Sequence, residues 1–224
     1  MNDDIGARFE RNTADHAMTV LHDDGLYRHL RFQQEVWRPP LAKPRLSSIY
    51  WFDLITVPGA LIFQGDGESF TFRRAEDMFD FFRRSAWEGR PNLGYWDEKV
   101  TSAQSVLKKY DEDLFVRIMR EHYVELIRDG KVPSGTSKAL LAHAEDYDLM
   151  FEDQARGMLD HFEHKGFRFH DTWEWNFRDY DWWFVWACHA IVWGIRQYDA
   201  VKAGRPAPGH APREVSVELP AAVA

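Results

Sequence analysis

Two histidines three residues apart, His161 and His164, followed by His170 and Asp171, are the residues of this chain best suited by type and spacing to hold a metal ion. Histidines at i and i+3 share a helix face and can offer two imidazoles to one ion. The run is not the HExxH zinc-protease pattern, because no glutamate stands where the general base is needed. An acidic, exposed helix end accounts for these residues as well, and neither a metal nor another cofactor is expected.

Glu174, Asp179 and Asp181 form a second candidate set. Acid–base catalysis needs two carboxylates at a fixed separation, in environments that split their pKa values. These three stand just before a predicted helix start, where Asp caps free N–H groups and suits the helix dipole. Capping is the expected role.

Cys188 lies beside His189, but helix neighbours point about 100° apart. The lone thiol therefore reads as a small buried hydrophobe. Asp53 stands mid-strand among Trp51, Phe52, Leu54 and Ile55. A buried carboxylate must be paired, and Arg28, Arg31 or Arg73 on neighbouring strands could pair with it in a structural ion pair. The chain has no P-loop, no GxGxxG, no GxSxG elbow and no CxxC pair, which turns the reading away from catalysis.

Charge is more informative. The 224 residues carry a net charge of −8, which argues against a broad footprint for duplex nucleic acid. Between Glu145 and Asp181 eleven residues are acidic and four basic, a local net charge of −7. An acidic face bearing tryptophans could dock on a basic surface of another protein. The residues proposed for that contact are Glu145, Asp146, Asp148, Glu152, Asp153, Trp173, Trp175 and Asp179. The pairs Arg73-Arg74 and Arg83-Arg84 bracket one predicted helix and, with aromatics, could grip a single strand. Nucleic acid is the less favoured partner.

The elements that position these residues follow from pattern. Tyr27–Phe32, Ser48–Val57, Ala60–Gln64 and Glu68–Arg73 read as strands, with turns at Pro58-Gly59 and Gly65–Gly67. Arg38–Arg45 carries three prolines and reads as an irregular connection. Helices are predicted over Ala75–Arg84, Trp96–Lys109, a stripe from Leu114 to Ile127, Thr136 to about Lys165 with a kink near Gly157, and the tryptophan-rich run up to about Lys202. Six of the ten tryptophans fall between His170 and Tyr198. So dense a cluster builds either a core or a recognition surface.

The longest apolar run, Trp182 to Ile195, is shorter than the roughly 20 residues a membrane helix needs. With one cysteine and no signal-peptide layout, a cytoplasmic protein without membrane contact is expected. The fold class is α+β: a small antiparallel meander of three to four strands packed against a mainly helical C-terminal part. The expected organisation is a flexible segment over 1–25, a single α+β domain over 26–203 and a disordered Pro/Ala-rich tail over 204–224.

Three blocks carry a resemblance. YRHLRF at Tyr27–Phe32, YWFDLITVPGALIFQGDGESFTFRRAEDMFDFFR at Tyr50–Arg83 and WEWNFRDYDWWFVWACHAIVWGIRQYD at Trp173–Asp199 resemble a family of tailed-phage and prophage proteins without an assigned activity. In the family pattern a Trp precedes the Pro-Gly turn, where this chain has Val57, and one residue separates Asp from Gly in the second turn, where Asp66 meets Gly67 directly. The resemblance implies a phage origin and no site residues.

Together these readings predict a non-enzymatic phage accessory protein that binds and modulates a host or defence protein in the bacterial cytoplasm, for instance as an inhibitor of a nuclease-based defence. One alternative is a metal-dependent enzyme acting on nucleic acid or a nucleotide through His161, His164, His170 or Asp171. Another is a single-strand-binding protein using Trp173, Trp175 and the arginine pairs.

Overall fold

The structure, a computed structural model, describes residues 5–36, 45–102 and 107–206. The sequence suggests one domain over 26–203. Contacts instead group the chain into two compact units, Met1–Gln104 with Trp182–Ala224, and Ser105–Asp181.

The first unit is built on helix α7 (Trp182–Lys202), which is apolar on nearly all sides as far as Ile195. Such a helix must be buried, and 13 of its 21 residues are. Its partner is an antiparallel sheet. The main run is β1 (His16–Asp24), β2 (Tyr27–Val36), β4 (Phe52–Val57), β5 (Ala60–Gly65) and β6 (Phe70–Phe72), side by side in that order; β3 (Arg45–Leu46) pairs with the end of β2. The register places Leu30 opposite Leu54, Phe32 opposite Phe52, and Leu54 opposite Phe63. Because side chains alternate across a strand, these residues share the buried face. The Phe52 ring stacks on Phe32 at 4.6 Å and meets Trp186 of α7 edge-on at 5.6 Å.

Two short helices complete this core. Helix α1 (Ile5–Thr13) inserts Phe9 against Trp186 at 5.1 Å. Helix α2 (Met78–Ser85) is capped by Asp77, whose carboxylate accepts from Phe79 N. The same carboxylate takes both terminal nitrogens of Arg28, at 3.0 and 3.1 Å. Asp77 thus caps a helix and pairs with a buried cation at once.

On the opposite sheet face Asp53 is fully buried. Arg31 grips it with Nε and Nη2, each at 2.8 Å, while His29 Nε2 sits at 2.8 Å and Gln64 Nε2 donates at 3.3 Å. Burial alone would raise the Asp53 carboxyl, but the bonds from Arg31 and His29 prevail and hold it below the usual carboxylate range. Of the three arginines suggested by the sequence, Arg31 makes this bond and Arg28 goes to Asp77.

Several expectations need correction. The sheet has six strands rather than three or four: the segment 1–25, expected to be flexible, supplies α1 and β1, and Arg45–Leu46 at the end of the predicted irregular connection supplies β3. Strand β1 is an edge strand with a register irregularity between Val20 and His22, and both of its faces are largely exposed. It therefore lacks the alternation that marks a half-buried strand. The helix predicted over Trp96–Lys109 does not run that far: α3 covers Leu93–Asp97, and Lys108–Tyr110 is strand β7. Most of the proline-rich connection at Arg38–Arg45 and most of the 204–224 tail lie outside the described residues. Among the described residues no helix is long and apolar enough to cross a membrane.

Candidate functional site

The second unit carries all eight of the proposed contact residues. Helix α4 (Glu112–Arg128) starts at Asp111, whose carboxylate accepts from Leu114 N at 2.8 Å. Two further helices, α5 (Thr136–Ala144) and α6 (Glu152–His161), replace the single kinked helix expected from Thr136 to Lys165. The break falls at residues 145–151, not at Gly157, and there Asp148 turns its side chain onto the Met150 N–H at 3.2 Å. An Asx bond of this kind competes with the helical ladder. Strand β7 pairs with β8 (Arg178–Tyr180). The interior is a cluster of Phe115, Tyr123, Leu140, Met158, Leu159 and several phenylalanines.

Arg156 of α6 organises the surface. It bonds Glu152 one turn earlier through Nε and Nη2, and it donates to the carbonyl oxygens of Thr172 at 3.4 Å and Trp175 at 3.1 Å. Its guanidinium lies 4.8 Å from the centroid of the Phe177 ring. The other oxygen of Glu152 takes Arg178 at 2.8 Å. Burial would raise the Glu152 carboxyl, but the bonds from Arg178 and Arg156 hold it low. Glu152 is therefore held by two arginines within the unit, whereas Glu145, Asp146, Asp148 and Asp153 are exposed.

The two tryptophans named from the sequence part company. Trp175 is half-buried, its ring 4.6 Å from His122 and 6.2 Å from Phe177. Trp173 sits on a short 3-10 turn at Thr172–Glu174 and is 76% exposed. Asp179, on β8, is exposed, and its carboxylate accepts from Tyr180 N. Asp181, which directly precedes α7 (Trp182–Lys202), also pairs with Lys109 at 2.7 Å. The sequence reading missed Met150 and Phe151, which stand 71% and 58% exposed at the start of α6. Their signal is a run of three apolar residues, Leu149 to Phe151, directly after the helix-breaking Asp148.

The metal candidates do not gather. His161 Nδ1 meets the Tyr147 hydroxyl at 3.1 Å, His164 forms a tight turn with Phe167, and His170 and Asp171 are exposed. Among the described residues no three His, Cys, Asp or Glu side chains come together to hold an ion. In the first unit Cys188 is buried, and burial pushes its thiol well above the ordinary value. It is poorly suited to act as a nucleophile. Arg83 is taken by Asp199 and Arg84 by Asp80, so half of the basic set suggested for a single strand is already neutralised.

The fold is of the α+β class: an antiparallel sheet with packed helices, and an acidic helical unit bearing exposed apolar side chains. No family model matches the chain, and no curated protein or solved structure is significantly similar to it.

Proposed function

We propose that this protein is a non-enzymatic, phage-encoded accessory protein that binds and modulates a host or defence protein in the bacterial cytoplasm, through the acidic face of its Ser105–Asp181 unit. The observation that carries this reading is Trp173, a large aromatic side chain held out to solvent on a segment that Arg156 fixes from below. Water-exposed tryptophan on a secured turn is an anchor of the kind that dominates interface energetics. Met150 and Phe151 add apolar area on the same unit. The exposed carboxylates of Glu145, Asp146, Asp148 and Asp153 would form a charged rim that speeds encounter with a basic partner surface. Nuclease-type defence proteins carry such surfaces because they bind nucleic acid.

The test is capture of partners by the tagged protein from nuclease-treated host lysate, run beside Trp173→Ala and the double variant Met150→Asp/Phe151→Asp. One stoichiometric partner, lost in both variants and weakened by salt, supports the reading. A partner retained by both variants removes this face from the proposal, and no partner at all removes the binding role in that host.

A further inference from the structure

A cavity of about 550 Å³ opens in the first unit, between α1, the loop from Glu88 to Leu93 and the middle of α7. Its volume lies within the range of small-molecule sites. Glu10, Glu88, Arg90 and Arg196 line it, beside the aromatic walls Phe9 and Trp193. Two carboxylates and two guanidiniums thus surround one space. Among the described residues the side chains of Glu10, Glu88 and Arg90 form no ion pair, with each other or with a neighbour. Opposite charges this close ordinarily collapse onto each other unless the backbone holds them apart.

The backbone does so. Trp87 N donates to Arg90 O at 3.0 Å and Arg90 N to Trp87 O at 2.7 Å, closing a two-residue turn. Both central residues have positive φ, 47° at Glu88 and 77° at Gly89. Turns of this kind favour Asn-Gly, Asp-Gly or Gly-Gly, yet the chain places a longer carboxylate at the first position and directs it to the cavity. Non-glycine residues in this region concentrate at functional sites. Arg196 locks the turn by donating from Nη2 to Gly89 O at 3.0 Å. A Cβ at Gly89 would lie 1.4 Å from that nitrogen, so this lock requires glycine there.

We propose that the cavity binds a small zwitterion with a planar apolar body, of the class of the aromatic amino acids. Arg90 and Arg196 face its carboxylate, Glu10 and Glu88 face its ammonium group, and the half-buried Trp193, backed by Phe9, packs against its ring. A simple anion meets two repelling carboxylates, and a simple cation meets two repelling guanidiniums. Only a ligand bearing both charges engages all four side chains.

Calorimetric titration of the full chain tests this with L-phenylalanine and L-tryptophan, against 3-phenylpropanoate, phenethylamine and inorganic phosphate as probes. The expected result is saturable binding of at least one amino acid, weakened about tenfold or more by removal of either charge from the ligand. Arg90→Gln and Glu10→Gln, both at exposed positions, should weaken it to a similar degree while leaving the circular dichroism spectrum unchanged. Absence of saturable binding at millimolar concentration overturns the proposal. So does equal or tighter binding of phosphate or of either single-charge analogue. The outcome is independent of partner capture through the acidic unit.

Discussion

Arg156 Nη2 donates to the backbone carbonyl of Trp175 at 3.1 Å, so a helix side chain rather than a strand ladder fixes the segment that displays Trp173. Hydrogen bonds from a charged donor are worth roughly 1.5–3 kcal/mol. Arg156→Ala should therefore lower the urea midpoint of the acidic unit and free the 172–175 segment. Amide exchange at Glu174 and Trp175 should accelerate in step. Unchanged exchange there would show that packing alone holds the segment.

The tryptophans of one sequence cluster should behave oppositely. Trp186 is 1% exposed in the sheet–helix core, and truncating such a residue costs about 3–5 kcal/mol. Trp173→Ala should fall within about 0.5 kcal/mol of the parent, as surface substitutions do. Thermal melts of both variants check this. A comparable loss in Trp173→Ala would mean that its exposure is not real in solution.

Acid should destabilise the first unit. Asp53 and Asp77 are both held below the ordinary range: in each, burial works to raise the carboxyl but arginine hydrogen bonds outweigh it. A depressed folded pKa stabilises above the unfolded value, about 3.9 for Asp, and that contribution is lost as pH falls through the folded value. Stability should begin to fall below about pH 6.5, because burial holds the His16 imidazole below its ordinary value and resists its protonation, and should drop further below about pH 4 as Asp53 and Asp77 protonate. Arg31→Met should cost about 2–3 kcal/mol, less than a fully buried pair, because Arg31 is partly exposed and His29 remains beside Asp53. The same variant should flatten the acid slope; an unaltered slope would assign it to other carboxylates.

Gly194 lies inside α7, where glycine is about 1 kcal/mol poorer than alanine in helix propensity. An added Cβ would stand 2.7 Å from Leu54 Cδ1 and 3.0 Å from Phe32 Cζ. Both neighbours are fully buried, and overpacking of this kind costs roughly 1–3 kcal/mol. Gly194→Ala should therefore be net destabilising despite its better propensity, by chemical denaturation. A stabilised variant would show that the sheet can retreat from the helix.

Local periodicity and composition are written into neighbouring residues and carry part of this structure without any tertiary contact. The alternation of Phe70 and Phe72, the turn at Pro58-Gly59 and the long apolar run from Trp182 to Ile195 each state their structure within a few residues. The charge bias of 145–181 is likewise a property of composition. Other features depend on what lies across space. Strand β1 is held by pairing with β2 although its own side chains are mostly solvated, so no internal pattern announces it. The choice of Arg31 for Asp53 follows from strand register, with the two residues directly opposite. The separation of Trp173 from Trp175 follows from which of two nearby rings meets Phe177 and His122. The charged cavity joins residues from α1, a mid-chain turn and α7, far apart in sequence. Side-chain type is local information, whereas burial and partner choice are fixed only when distant segments close on one another.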